Sequence, residues 1–137
     1  MVYSQHICGI EPSEITEEFK IVQSQNHRCE RNTLSFAISP TIEDGRDLSV
    51  ESLGEVAEKF LKEMNLREHQ AVAYVHIDKD HTHVHVYANR IGFDGTAYND
   101  SFIGKQSQLA AERVAQEMGL TTVREVQQER LAELRIV

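Results

Sequence analysis

The fold is decided by two apolar, β-prone runs that flank a short acidic turn. Residues 71–90 read AVAYVHIDKDHTHVHVYANR. The runs Ala71–Ile77 and His83–Arg90 have the composition of strands, and side chains in a strand alternate between its two faces. The turn between them, Asp78–Asp80, is short enough to join antiparallel neighbours. This segment therefore predicts an antiparallel β-hairpin.

Four of the seven histidines fall within the hairpin. His83 and His85 are two residues apart, so they share one strand face. A tight hairpin brings His76 opposite His83 or His85, because directly paired residues point to the same side. Three imidazoles would then converge on one spot. Such a site leaves coordination positions open, as a catalytic metal requires and a structural metal does not.

The residues around these three histidines extend the predicted site. Asp78 lies two residues beyond His76, close enough to orient an imidazole or a metal-bound water. Tyr87 and Asn89 continue the strand face of the histidine pair. His81 lies in the predicted turn, where an exposed or supporting role is expected rather than ligation.

Further elements are predicted on both sides of the hairpin, from apolar periodicity and from cap and turn residues. In chain order they are a strand near Tyr3–Ile7, a helix from an N-cap at Ser13 to about Glu30, a strand over Thr33–Ser39, a loop over Pro40–Gly45, a helix capped by Ser49, a short strand near Thr96–Tyr98, a helix over Lys105–Met118 ended by Gly119, and a weaker helix from Val123 onward. The pattern predicts a single α+β domain over residues 1–137, with a central antiparallel β-sheet and helices packed on it.

The charge balance limits the partners that the chain can bind. Lys and Arg number 14 against 22 Asp and Glu, which gives a formal charge of −8. Most of the excess acid falls in predicted amphipathic helices, where charges form a solvated outer face. The balance argues against a large surface for duplex DNA but leaves room for a small groove that takes one strand.

The sequence has neither the pattern of a targeting signal nor the cysteine pattern of a disulfide framework or a thiolate metal site. No apolar run has the length needed to span a bilayer, and the N-terminus lacks the pattern of a signal peptide, so a cytoplasmic protein without membrane contact is expected. Cys8 and Cys29 are too few for a disulfide framework or a thiolate site. Both are predicted to be small buried hydrophobic residues.

The spacing of the histidine segment resembles a known family. His76-x-Asp78-x-x-x-x-His83-x-His85, continuing to Asn89 and Arg90, resembles the third motif of mobilisation relaxases, members of the HUH endonuclease superfamily. Residues 32–36, followed by Pro40 and an acidic loop, are similar to the second conserved strand region of that family. The resemblance extends from about residue 13 to residue 120.

The resemblance implies a metal-dependent enzyme that nicks DNA at a transfer origin in plasmid or transposon mobilisation. His76, His83 and His85 would bind a divalent ion, Mg²⁺ or Mn²⁺, that contacts the scissile phosphate of a single strand. A tyrosine would attack phosphorus, leaving a 5′-phosphotyrosyl link and a free 3′-OH. Asp78 would orient His76 or help take the tyrosine proton. The residues left for DNA contact or for bracing the site are His81, Asn89, Arg90 and Ser35.

The chain departs from the family where the nucleophile should be. The relaxase tyrosine lies on a segment well ahead of the first helix, and Tyr3 is the only tyrosine upstream of that helix here. Tyr3 is therefore the candidate nucleophile, and a fragment truncated at the N-terminus, and at the C-terminus as well, is expected. Accessory mobilisation proteins are expected partners. A missing N-terminal strand would also leave an exposed sheet edge, which favours a homodimer.

Two other functions remain open. Residues 81–87, HTHVHVY, also resemble the alternating histidines of histidine-triad nucleotide hydrolases and transferases, in which a histidine attacks phosphate without a metal. Thr82 occupies a hydrophobic position of that pattern, and the pattern gives no role to His76 and Asp78. The third interpretation is a non-catalytic DNA-binding remnant of the relaxase fold, which the acidic charge and the missing motif favour.

Overall fold

Four antiparallel strands form one sheet in the computed structural model, which describes residues 1–123 and residue 125. The strands are β1 (Tyr3–Gln5), β2 (Thr33–Ile38), β3 (Ala71–Asp78) and β4 (His81–Asn89). Their order across the sheet is β1-β3-β4-β2, so the hairpin of β3 and β4 is central and has a neighbour on each side. The predicted antiparallel sheet of an α+β fold is confirmed.

Within the described residues, four helices pack on this sheet: α1 (Pro12–Gln23), α2 (Ile42–Asp47), α3 (Val50–Glu63) and α4 (Ile103–Met118). Helices α3 and α4 share one hydrophobic core with alternate residues of the central strands, whereas α1 packs on the other face against Val72. None of the described helices is both long enough and apolar enough to cross a membrane.

The larger core lies between α3 and the sheet. Phe60 and Leu61 are almost fully buried there, and the Phe60 ring meets Phe36 of β2 edge to face, with ring centroids 5.1 Å apart. Burying side chains of this size stabilises the fold by about 1.5–3 kcal/mol each. The Ser49 hydroxyl accepts a hydrogen bond from the Ser52 N–H and so caps α3 as predicted.

The first helix is shorter than its apolar periodicity predicted. It begins at Pro12 rather than after Ser13, and the Glu14 side chain accepts a hydrogen bond from the Glu11 N–H at its N-terminus. It ends at Gln23 rather than near Glu30. The reason is local, because the Asn26 side chain accepts hydrogen bonds from the two backbone N–H groups at residues 28 and 29 and forms a turn there.

Two short segments also differ from their predictions. The loop predicted at Pro40–Gly45 contains α2, whose N-cap Thr41 accepts a hydrogen bond from the Asp44 N–H through its hydroxyl. The strand predicted at Thr96–Tyr98 is only an isolated bridge between Ile91 and Ala97. The helix predicted from Val123 onward lies outside the described residues, apart from residues 123 and 125.

The hairpin turn is tighter than predicted. Strand β4 begins at His81 rather than His83, and only Lys79 and Asp80 separate it from β3. Lys79 has φ 57°, the left-handed conformation that a two-residue hairpin loop requires. The predicted N-terminal strand stops at Gln5, because His6 also has a positive φ of 56°.

The prediction that both cysteines are buried is wrong. Cys8 is exposed in the loop before α1, and Cys29 is partly exposed in the loop before β2. For Cys29 the error follows from the length of α1, because the helix predicted to about Glu30 included this residue, whereas α1 ends six residues earlier, at Gln23.

Candidate metal centre

The hairpin register places three imidazoles side by side on one face of the sheet. His76 pairs directly with His83, and Tyr74 pairs with His85. The ring centroids of His76 and His85 lie 6.1 Å apart, and those of His83 and His85 lie 6.3 Å apart. The alternate residues of both strands enter the core under α3, so the three imidazoles face the side on which α1 packs.

Helix α1 covers only part of that face. Ile15 and Phe19 of α1 pack on Val72 and reach Tyr74, which is the last apolar contact before the histidines. Beyond that point His76 is exposed, and His83 and His85 are half-buried. The imidazoles are therefore accessible to a ligand from solvent, while the backbone of each histidine lies in one of the two central strands.

A serine that the sequence analysis missed holds one of the imidazoles. The Ser39 hydroxyl lies 2.7 Å from His83 Nδ1, within hydrogen-bond distance. This contact occupies Nδ1 and leaves Nε2 as the nitrogen available to a metal. Because Ile38 pairs with Val84, Ser39 lies opposite His83, so the register of β2 on β4 would have predicted this contact. Sequence alone did not supply that register.

His81 occupies a different position from the one predicted. It is the first residue of β4 rather than a turn residue, and it pairs with Asp78. Its ring stacks on that of His83, with centroids 6.2 Å apart and an interplanar angle of 21°. Four imidazoles therefore line the same face toward the tip of the hairpin.

Asp78 is close to the histidines in the register but is not bound to them. Its position on β3 puts it on the same face as His76, and its side chain is exposed. Among the described residues it makes no hydrogen bond or ion pair with an imidazole. The structure therefore gives Asp78 access to the site without fixing its orientation.

The donor set fits a divalent ion, although the rings are not gathered around one point. No group of three His, Cys, Asp or Glu side chains within the described residues has the spacing of a preformed metal cage. Imidazole nitrogens bind a metal at about 2 Å, so centroids 6.1 and 6.3 Å apart require the rings to turn toward each other. The exposure of His76 permits its ring to turn, whereas the Ser39 hydroxyl restrains the His83 ring through Nδ1.

Asn89 lies on the same sheet face but is buried beneath α1. Its side-chain N–H₂ group donates to the Phe19 carbonyl at 3.1 Å and to Gln70 Oε1 at 2.9 Å. Its Oδ1 accepts from Gln23 Nε2 and from the Ile91 N–H. Asn89 is 0% exposed, so it fastens α1 to the sheet and has no surface for DNA.

Arg90 and Ser35 have contrasting surroundings. The Arg90 guanidinium donates to the Tyr98 carbonyl at 3.0 Å and pairs with Asp100 at 3.2 Å, which joins the strand end to the following loop. Ser35 is exposed on β2 and pairs with Tyr87. Ser35 therefore borders the open face, whereas Arg90 braces a loop beyond the end of β4.

The candidate nucleophile Tyr3 does not meet the imidazoles. It pairs with Ala73, whose side chain enters the core under α3, so Tyr3 lies on the face opposite the histidines. Its hydroxyl donates to Gln5 Oε1 at 2.9 Å. Burial, assisted by the negative charge of Glu58, raises the pKa of Tyr3, which disfavours the phenolate that attacks phosphorus.

The other three tyrosines divide between the two faces. The Tyr98 hydroxyl donates to the Met64 carbonyl, and burial raises the pKa of Tyr98. Tyr74 and Tyr87 lie on the imidazole face, with ring centroids 6.4 Å apart in an edge-to-face contact. They are the tyrosines that the fold brings beside His85.

One family model matches the chain, and it is that of the relaxase nuclease domain of the MobA/VirD2-like type, over residues 1–120. No curated protein and no solved structure matches the chain significantly. Relaxases bind single-stranded DNA and generally use a divalent metal. Because the match spans the whole sheet, α1 to α4 and all three central histidines, the chain belongs to the MobA/VirD2-like relaxases.

Proposed function

We propose that the open part of the sheet binds a divalent ion, Mg²⁺ or Mn²⁺, and a single DNA strand for nicking at a transfer origin. The reaction is site- and strand-specific tyrosine transesterification in the conjugative mobilisation of a plasmid or transposon. It takes place in the cytoplasm and is assisted by accessory mobilisation proteins. The histidine-triad alternative receives no support from the family match.

The observation that carries the proposal is the row of imidazoles on an uncovered sheet face. His76, His83 and His85 are the ligands, and they come from the two strands that are flanked on both sides. When bound, the ion neutralises charge on the non-bridging oxygens of the scissile phosphate. Ser39 keeps the His83 ring oriented through Nδ1, and Asp78 is free to accept a hydrogen bond from His76.

The attacking group is a tyrosine hydroxyl. Its oxygen forms a bond to phosphorus as the bond to the 3′ oxygen breaks, and the tyrosine proton passes by way of a base to that 3′ oxygen. Tyr3 faces the other side of the sheet, so Tyr74 and Tyr87 are the tyrosines of this chain nearest the imidazoles.

Calorimetric titration of Mn²⁺ into the protein tests the metal centre. The wild type should bind one ion, and His83→Ala/His85→Ala should bind none, because two of its three ligands are lost. His27→Ala removes an exposed imidazole from the loop before β2 and should bind like the wild type. Absence of Mn²⁺ binding by the wild type would contradict the proposed metal centre and would favour the metal-free histidine-triad alternative.

A second candidate function is metal and DNA binding without cleavage. The observation that favours it is the position of Tyr3 on the α3 side of the sheet, away from the imidazoles. Denaturing electrophoresis of the protein with a labelled single strand and Mn²⁺ separates the two functions. A covalent adduct lost in Tyr74→Phe supports nicking, whereas metal and strand binding without any adduct supports the binding function.

A further inference from the structure

A cleft opens between α1 and the sheet beside the imidazoles. Its volume is about 380 Å³, within the roughly 300–1,000 Å³ range of small-molecule sites. Val72 and Phe19 form its apolar floor, and Tyr74 and Tyr87 line the side toward the histidines. A shallower depression on the same face is lined by the same two tyrosines together with His76 and His85. The cleft therefore adjoins the candidate metal centre, with the two tyrosines between them.

The distance between cleft and metal centre suits one nucleotide. His85 and Tyr87 are two residues apart on β4, which is about 7 Å along the strand. A phosphodiester held at the imidazoles carries a sugar and base on each side, and these extend away from it over a similar distance. The base nearest the scissile phosphate is therefore the group that reaches the cleft.

The lining has the chemistry that recognises a nucleobase. Tyr87 is 36% exposed, so its ring is accessible where the cleft meets the open face. Aromatic side chains stack on any base, because every base has a π-face. Lys20 of α1 lies at the rim and makes no ion pair within residues 1–123. In a chain of charge −8, an unpaired cation beside an aromatic cleft favours an anionic strand.

We propose that this cleft is a nucleobase subsite, in which Tyr87 stacks on the base next to the scissile phosphate while Lys20 attracts the adjacent backbone. The subsite rests on the proposed function, because the phosphate is placed by the imidazoles. Stacking on Tyr87 supplies the part of the affinity that depends on the base and not on the phosphate charge. Gln23 takes no part, because its side-chain amide is engaged by Asn32, Thr33 and Asn89.

Fluorescence anisotropy with two labelled single strands tests the subsite in the presence of Mn²⁺. One strand is a thymidine 12-mer, and the other is a 12-mer of the same phosphate charge that carries abasic sugars. The wild type should bind the thymidine strand more tightly. Tyr87→Leu should weaken that binding about 5- to 150-fold and remove the preference over the abasic strand.

Two variants control for loss of an aromatic ring and for folding. Tyr87→Phe keeps the ring and should keep the preference. Phe102→Leu removes a ring that is 80% exposed at the N-cap of α4 and should leave binding unchanged. The melting temperature and Mn²⁺ titration of Tyr87→Leu should match the wild type, since the side chain is partly exposed and is not a ligand.

The outcomes separate the subsite from the metal centre. Equal binding of both strands by a wild type that takes up Mn²⁺ would overturn the subsite and leave the metal centre standing. A base preference that disappears in Tyr87→Leu, in a protein that takes up no Mn²⁺, would keep the subsite and overturn the metal centre. Failure to bind either strand, or a preference that survives in Tyr87→Leu, would also overturn the subsite.

Discussion

The sheet face opposite α3 has two ends that differ in cover although their side chains come from the same strands. At the covered end, Asn89 of β4 lies under α1 with its amide fully hydrogen-bonded. At the open end, His83 and His85 of the same strand point the same way and are only half-buried. Ser39 is the hydrogen-bonding partner found for this pair within the described residues.

The contrast shows that a polar side chain of this face has a different role when α1 covers it than when it is open to solvent. A buried polar group must have partners, since an unsatisfied one costs about 1–3 kcal/mol, so Asn89 is committed to holding α1. The imidazoles, by contrast, are clustered and open to water, so their uncommitted nitrogen lone pairs stay available to a ligand. The cover provided by α1, which reaches Tyr74 but not the imidazoles, therefore separates the structural end from the binding end.

Asn89→Ala should have the largest effect on stability and should act only at the covered end. The substitution leaves Gln70 Oε1 and the Ile91 N–H without their buried partner. We expect the free energy of unfolding to fall by about 3 kcal/mol and the melting temperature by about 10 °C. Calorimetric unfolding measures both.

Ser35→Ala is the matched control for this substitution. Ser35 is an exposed hydroxyl on the same face, and its side chain makes no hydrogen bond within the described residues. Its loss should change stability by less than about 0.5 kcal/mol. If Asn89→Ala were equally mild, the hydrogen bonds of Asn89 would not be what holds α1.

Ser39→Ala should have an intermediate effect, confined to the open end. Removing the hydroxyl frees the His83 ring to rotate and leaves Nδ1 without its partner. Loss of such an orienting contact typically lowers metal affinity 10- to 100-fold. Mn²⁺ titration should show that loss while the melting temperature stays within about 2 °C of the wild type. Unchanged affinity would mean that the serine does not orient the ligand.

Tyr3→Phe should have the smallest effect, because Tyr3 lies on neither end of this face. Mn²⁺ binding and any covalent adduct with DNA should be unchanged, and loss of the adduct would restore Tyr3 as the nucleophile. Its raised pKa means that the folded protein holds the phenol proton longer than the unfolded chain. Stability should therefore fall as the pH rises above 10.0, and less so in Tyr3→Phe than in the wild type.

The placement of the three histidines on one sheet face could be predicted because it depends on local rules. The period of a strand puts His83 and His85 on one face, and the short turn brings His76 across from them. Ser39 was missed because its contact with His83 spans 44 positions and depends on how β2 pairs with β4. Asn89 was left between two roles for a similar reason, since its burial depends on where α1 lies.

The fold was predictable at the same level. Ser49 and Gly119 are strong local signals, and α3 and α4 are bounded as they indicate. The end of α1 was misplaced because Asn26 competes for the backbone N–H groups that would continue the helix. Helix α2 was missed because it is only six residues long and contains Gly45, a residue more typical of loops than of helix interiors.

The central position of β3 and β4 has a consequence for the dynamics of the site. Amide protons in strands flanked on both sides exchange with solvent only when the whole domain opens, whereas β1, with three residues and one neighbour, can fray by itself. The imidazoles therefore stay in register through local opening at either sheet edge. For the same reason, binding of an ion at the imidazoles is coupled to the global folding equilibrium. A bound ion would therefore stabilise the whole domain against unfolding.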